Sequence, residues 1–201
     1  MRIPGHAVLR AAKPKSLFRF SHTLLFSLLL VLVSLTNAQA QTPAKGQTAP
    51  DFSLSTLSGT RVRLSDHSSK GTTVLVILRG YPGYQCPFCQ KQAHDFIAHA
   101  SDFAKKRATV LLVYPGPPAE LDQHAKEFLE KQAALPENVT LVTDPDYKVT
   151  NLYGLRWDAP QETAYPSTFL LDNKRVVMYE KISRSHGDRA TASEVLAEIP
   201  N

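Results

Sequence analysis

The chain contains two cysteines, and both lie in the stretch Arg79-Gly80-Tyr81-Pro82-Gly83-Tyr84-Gln85-Cys86-Pro87-Phe88-Cys89. Two thiols three residues apart admit three chemistries. As a structural disulfide, Cys86 and Cys89 close a four-residue loop, worth only ~2 kcal/mol in the chain-entropy model against ~4.7 for a hundred-residue loop. As a zinc site they need four ligands, and only His94 and His99 follow nearby, among polar neighbours on what reads as a helix surface. As a redox pair, one thiolate attacks and the other resolves. The redox reading accounts best for the placement, and it calls for no metal and no cofactor.

That placement depends on the elements on either side. Thr72–Leu78 is a continuous β-branched and apolar run, the composition of a strand buried on both faces. After the cysteines, Ala93, Phe96, Ile97, Ala100 and Phe103 recur at helical spacing, which predicts a helix from about Cys86 to Lys106. Cys86 therefore sits where a strand hands over to a helix. Unpaired N–H groups and the positive dipole end there favour a thiolate. A free thiol pKa of ~8.5 can fall to ~7 or below in such a site, each unit being worth ~1.36 kcal/mol. Pro87 lacks an N–H, which costs nothing in a first helical turn. Cys89, one turn on, lies within disulfide reach, so the pair suits a nucleophile, Cys86, with its own resolving thiol. This reading requires a Cys86 sulfur that is both anionic and accessible.

The remaining segments supply a frame for that junction. Gln41–Gln47 reads as a flexible lead-in, and short extended segments at 51–57 and 60–64, split by Ser58-Gly59, predict an N-terminal β-hairpin. Further strands are expected at Thr109–Tyr114 and Val139–Val142, and at Ser167–Leu171 and Arg175–Lys181 joined through Asp172-Asn173. Helices are expected at about Ala119–Gln132 with Pro118 near its first turn, from Asp146 to Gly154, and at about Ala190–Ile199. Alternating strands and helices closed by a hairpin and a helix predict an α/β fold, a central mixed sheet with helices on both faces.

The first forty residues stand apart from this domain. Arg2, Arg10, Lys13, Lys15 and Arg19 form a basic leader, the apolar run Leu24–Leu35 follows, and Ala38-Gln39-Ala40 fits a small-x-small cleavage site. This is the pattern of a secretory signal peptide, and the 12-residue run falls short of the ~20 a spanning helix needs. Export to a periplasmic or extracellular space is the expectation, with no stable membrane span after cleavage; an uncleaved anchor is the alternative. Five of the 23 Lys and Arg lie in this leader, which leaves 18 against 18 acidic residues in the remainder. The basic balance belongs to the leader, and nucleic acid is excluded as a partner. About 160 residues remain, enough for one domain over 48–201 with a sizeable core.

Several stretches occur in a telling order: Ala49-Pro50-Asp51-Phe52, the hairpin, the apolar strand, Arg79-Gly80 before Cys-Pro-x-Cys, Asp144-Pro145-Asp146 with Tyr153-Gly154, and Pro166-Ser167-Thr168-Phe169-Leu170-Leu171-Asp172. Together they resemble a thioredoxin-fold redoxin of the alkyl hydroperoxide reductase/thiol-specific antioxidant type, over about residues 47–182. The resemblance implies a thioredoxin-like fold. It also implies that Pro166 is a cis-proline facing the dithiol, with the Tyr165 backbone beside Cys86 to align a mixed disulfide.

Two activities fit that family frame. In the first, Cys86 attacks a hydroperoxide, Cys89 condenses with the sulfenic acid to a Cys86–Cys89 disulfide, and an external thioredoxin-like dithiol reduces it. In the second, Cys86 attacks a protein disulfide and Cys89 resolves the mixed species. Peroxiredoxins place Thr or Ser three residues before the peroxidatic cysteine, Pro seven before it, and an active-site Arg further on; this chain has Gly83, Arg79 and Pro166 at those places. Arg79 could supply a guanidinium from another direction, and the Arg-Gly then Cys-Pro-x-Cys wording is itself typical of a peroxiredoxin-like branch. Peroxide reduction leads on overall resemblance, protein-disulfide chemistry is the alternative, and a non-catalytic binding module on the same fold is a third reading. Elsewhere, Lys105-Lys106-Arg107 reads as a solvated helix end, Leu155–Ala164 as a packed loop carrying Trp157, and Ser185–Asp188 as a turn leading to the last helix.

Overall fold

The computed structural model describes residues 41–200, so the expected leader over 1–40 lies outside the described residues. The strands are β1 (Ser53–Ser55), β2 (Arg61–Arg63), β3 (Thr72–Ile77), β4 (Ala108–Gly116), β5 (Val139–Pro145), β6 (Ser167–Leu171) and β7 (Val177–Ile182). They form one mixed sheet in the order β2-β1-β5-β4-β3-β6-β7. β3, β4 and β5 run parallel, while β6 pairs antiparallel with β3, β7 with β6, and β1 with both β5 and β2. The helices are α1 (Leu64–Ser68), α2 (Pro87–Ala98), α3 (Ala100–Lys105), α4 (Leu121–Glu130), α5 (Lys148–Leu152) and α6 (Ala192–Glu198).

The apolar run of β3 is buried on both faces because its side chains alternate between two cores. Val74, Val76 and Leu78 pack with Phe96 of α2, Phe103 of α3, Phe128 of α4 and Val195 of α6. Leu75 and Ile77 point the other way, into a second core with Leu64 of α1, Val149 of α5, Tyr153 and Phe169. The architecture is the expected mixed sheet with helices on both sides.

Several boundaries depart from the sequence reading for local reasons. The single helix expected over 86–106 is two, because His99 leaves helical geometry (φ −96°, ψ 13°) with its Nδ1 set 2.9 Å from the Asp95 carbonyl. α4 starts at Leu121 because Glu120 takes a left-handed φ of 58°. β7 starts at Val177 because Arg175 is left-handed (φ 66°) and Asp172 Oδ1 accepts from the Lys174 and Val176 amides. The short helix α1 takes over at Leu64, the last residue of the expected extended segment 60–64. Gly46–Ala49, at the end of the expected flexible lead-in, is tied to the start of β7: Gly46 N donates to Val177 O, Val177 N to Gln47 O, and Ala49 N to Arg175 O.

The topology also fixes which loops meet. Ile77, the last residue of β3, pairs with Ser167, the first of β6, and Ser167 pairs with Ile182, the last of β7. The exit of β3, the entry to β6 and the exit of β7 therefore share one end of the sheet, where α2 begins.

Candidate active site

The chain leaves β3 through Gly80, whose φ of +76° and setting admit only glycine: a Cβ there would lie 1.9 Å from the Pro115 carbonyl oxygen. Tyr81 N donates to that same carbonyl at 2.9 Å. Tyr81 then stacks on His124 at 3.5 Å, while Gln85 donates to His124 O and accepts from the Tyr114 hydroxyl. These contacts hold the loop down and deliver Cys86 to the N-cap of α2, with Pro87 at the first helical position. Its sulfur takes the role a capping oxygen plays elsewhere, accepting from Cys89 N at 3.4 Å. The first turn of α2 carries no acidic side chain, so the positive end of the dipole is left for the sulfur.

The surroundings make the two thiols unlike. The Cys86 pKa is held down to about 5, first by the Cys89 thiol donating to its sulfur, then, against the opposing effect of burial, by the Cys89 amide, the Arg189 charge and Arg79. Burial pushes Cys89 well above the ordinary thiol range, and the neighbouring Cys86 sulfur adds to that rise. At neutral pH the pair is thus a thiolate receiving an S–H hydrogen bond from a neutral thiol. Both are free thiols here, so this is the dithiol form.

Arg189 is the site residue that sequence reasoning missed. Its Nη1 lies 3.4 Å from Cys89 Sγ and 3.1 Å from Gln92 Oε1, its Nη2 lies 3.8 Å from Cys86 Sγ, and its Nε donates to His186 O at 2.8 Å. It follows β7 and stands 103 residues from Cys86. A signal was available: the expected β6–β7 hairpin returns the chain to the end of the sheet where β3 stops. The expectation of an accessible Cys86 sulfur is not met. Cys86 is 1% exposed and Cys89 0%, both packed in the core under β3 and β4 with the Arg189 guanidinium against their sulfurs.

Arg79 lies at the same end of the sheet, with 1% exposure. Its Nε donates to Glu162 Oε2 at 2.5 Å, Nη1 to the Tyr84 hydroxyl at 2.9 Å, and Nη2 to Gln161 O at 2.7 Å. A guanidinium has five N–H groups, and Arg79 also reaches Cys86, lowering its pKa. The carboxylate and the other acceptors hold the Arg79 pKa above its ordinary value against the opposing effect of burial. Glu162 also meets His186 Nε2 at 2.8 Å. Although burial opposes ionisation of Glu162, Arg79 and His186 bring its pKa below the usual value. Trp157 stacks on Tyr165 at 4.8 Å and leans on His186, so the aromatic loop packs on the site rather than into the core.

The expected cis-proline is a correction: among the described residues no peptide bond is cis, and Pro166 follows Tyr165 in the trans form, the isomer favoured intrinsically by ~0.5–1 kcal/mol. The Tyr165 backbone is also already engaged. Its N–H donates to Leu155 O at 2.9 Å and its carbonyl accepts from Ser167 Oγ at 2.9 Å. Its N–H is therefore not free to pair with a bound disulfide. Pro166 itself is buried at the entry to β6, its carbonyl accepting from Ser183 N.

The comparisons with known proteins agree with this geometry. A relative named peroxiredoxin bcp, from Helicobacter pylori strain J99, is 40% identical over 108 residues, 54% of this chain and 64% of that protein. The chain thus spans less than two thirds of the length of that relative. The crystal structure of peroxidoxin BcpB from Mycobacterium tuberculosis superposes with a TM-score of 0.60 at 26% identity, covering 78% of this chain and 96% of that one. A Chlorobium tepidum structure described as a thiol:disulfide interchange protein DsbE gives 0.57 at 23% identity, over 79% and 100% of the two chains, and so shares the fold. The model of the AhpC/TSA family matches residues 45–180, a span that holds β1 to β6 and most of β7, the Cys86–Cys89 helix start and Arg79. With a thioredoxin-type fold presenting a thiolate at a helix N-cap inside that span, the chain belongs to the AhpC/TSA family.

Proposed function

We propose that the chain is a thiol-dependent hydroperoxide reductase in which Cys86 attacks and Cys89 resolves. One observation carries the choice of substrate: the thiolate is 1% exposed and lies beside its own partner thiol. A protein disulfide must bring two sulfurs and their flanking backbone into line with the attacking atom, and a sulfur this covered is poorly presented to so large a body. A hydroperoxide needs space for two oxygens only, so the access that the redox reading requires is reduced to that of a small molecule. The Cys86 thiolate attacks the terminal peroxide oxygen, the O–O bond breaks, and the leaving alkoxide takes up a proton, giving a sulfenic acid and an alcohol. The Cys89 sulfur then displaces hydroxyl from the sulfenic acid, forming the Cys86–Cys89 disulfide and releasing water. An external dithiol returns the pair to the reduced form. The role of Arg189 and Arg79 is to hold negative charge at the reacting sulfur before attack.

Protein-disulfide chemistry is the second reading, favoured by the exposed rings of Phe88 (48%) and Tyr84 (43%) beside the dithiol. Peroxide consumption and insulin reduction, each measured with wild type, Cys86→Ser and Cys89→Ser, separate the two. The proposal expects peroxide turnover that is abolished by the first substitution. It is abandoned if insulin is reduced while peroxide persists with every dithiol tried. We also propose export as the setting, on the basic leader and apolar run ahead of residue 41; processing after Ala40 on expression in a secreting host tests it.

A further inference from the structure

Peroxide reduction at this site leaves one proton without a source. When the Cys86 thiolate takes the terminal oxygen of a hydroperoxide, the departing alkoxide or hydroxide is a strong base and needs an acid beside it. The charged groups cannot serve. A guanidinium does not give up a proton in a protein, which sets aside Arg79 and Arg189. Burial opposes ionisation of Glu162, but Arg79 and His186 hold its pKa below the usual value, so at neutral pH it has no proton to give. The His186 ring stands behind Glu162, its Nε2 2.8 Å from Oε1. Burial makes Cys89 and Tyr114 weaker acids than usual, and the Tyr114 hydroxyl already donates to Gln85. Tyr84 is placed differently. Its hydroxyl oxygen accepts from Arg79 Nη1 at 2.9 Å, and among the described residues its own O–H donates to no protein group. Arg79 is tied by Nε to Glu162 and by Nη2 to Gln161 O, and it also reaches Cys86. The Tyr84 oxygen and the Cys86 sulfur are thus two acceptors on one guanidinium. Arg79 itself is 1% exposed, while Tyr84 is 43% exposed and within reach of water.

We propose that Tyr84 is the catalytic acid of the peroxide step, giving its phenolic proton to the departing oxygen as the O–O bond breaks. The proposal rests on the hydroperoxide reading above and adds the residue that completes its proton balance. The thiolate supplies the electron pair of the new S–O bond, and the O–O pair stays on the far oxygen. That oxygen takes the Tyr84 proton and leaves as an alcohol or, from hydrogen peroxide, as water. Tyr84 is left as a phenolate against the Arg79 charge, which favours it, and recovers a proton from solvent. Phenols ionise at ~10 and water only at ~15.7, so the transfer runs downhill. Because Arg79 donates to the Tyr84 oxygen and reaches the Cys86 sulfur, it holds acid and nucleophile in one frame.

Tyr84→Phe removes the hydroxyl and keeps the ring, and the need of the leaving group for a proton supplies the test. Second-order rate constants for Cys86 of the reduced whole chain are measured with hydrogen peroxide, tert-butyl hydroperoxide, catalase-treated peracetic acid and iodoacetamide. The first two release hydroxide and an alkoxide, which need a proton. Peracetic acid releases acetate and iodoacetamide releases iodide, which do not. A general acid contributes ~10²–10⁴-fold, and with water able to take its place the variant should react with the first two at least about tenfold more slowly. Its rates with peracetic acid and iodoacetamide should stay within about twofold of wild type. Unchanged rates with all four reagents overturn the proposal. Equal slowing with all four means that Tyr84 only steadies Arg79 and the thiolate, and also overturns it. Equal slowing with the three oxidants but not with iodoacetamide makes Tyr84 a binding group, which overturns the acid role and leaves the hydroperoxide reading standing. A wild-type protein that alkylates normally but is oxidised by none of the three removes the hydroperoxide reading itself, and the acid with it.

Discussion

Replacing Cys89 by alanine removes the hydrogen-bond donor that does most to hold Cys86 ionised. A hydrogen bond to a charged group contributes about 1.5–3 kcal/mol, which corresponds to about 1–2 pH units at ~1.36 kcal/mol each. Cys89→Ala should therefore raise the Cys86 pKa from about 5 by roughly that amount, whereas Cys89→Ser, which keeps an O–H donor at the same place, should raise it less. The sign determines where the effect is visible. A higher pKa means less thiolate on the acid side and no difference once both proteins are ionised. Near pH 5.5 wild type remains mostly thiolate while the alanine variant falls to between about a quarter and a thirtieth, so alkylation of Cys86 by iodoacetamide should slow by about 3–25-fold. At pH 9 the rates should converge. The same depression gives Cys86 a contribution to folding stability that is complete above its unfolded pKa of ~8.5 and is lost as pH falls toward 5. If Cys89→Ala alkylates with the wild-type pH profile, the thiol–thiolate hydrogen bond is not what sets the pKa, and the proposed division of labour between the two sulfurs fails.

Three further substitutions probe the frame around the pair. Glu162→Gln strips the carboxylate from a guanidinium that is 1% exposed and should cost about 3 kcal/mol in urea unfolding. Because the Glu162 pKa is depressed in the fold, the wild-type contribution is full above the unfolded value of ~4.3 and should fade as pH drops below it, so the two proteins converge in acid. Gly80→Ala forces a Cβ to 1.9 Å from a backbone oxygen at φ +76° and should destabilise by about 3 kcal/mol or more, read from the shift in urea midpoint. Asp144→Asn loses an acceptor that caps α5 through Val149 N, Thr150 N and the Thr150 hydroxyl. It should cost about 1–2 kcal/mol by the same assay, with little effect on Cys86 alkylation.

What the sequence disclosed and what it hid follow from the range of the interactions. The order of elements, the doubly buried β3 and the thiolate-favouring helix start were legible, because periodicity and the position of Cys86 before Pro87 are local. The break at His99 was not, since it turns on one side chain competing for a carbonyl inside an otherwise helical pattern. Arg79 could be flagged from its place at the end of β3. Its partner Glu162 lies 83 residues away, and Arg189 lies 103 residues from Cys86; no pattern of residue types marks such pairs before the sheet is assembled. Family likeness misled at Tyr165-Pro166 in the isomer, which is trans, and the Tyr165 N–H there is already paired with Leu155 O. Burial of the attacking sulfur was equally invisible, because the groups packed against it, Arg189 among them, come from segments distant in the chain.

A single-turnover experiment tests the central claim most directly. Reduced protein is mixed with one equivalent of hydrogen peroxide, and the products are mapped by peptide mass spectrometry under non-reducing conditions. The account predicts that both thiols disappear together and that Cys86 and Cys89 are joined within one chain. A Cys86 that stays reduced, or that is oxidised without ever linking to Cys89, contradicts it.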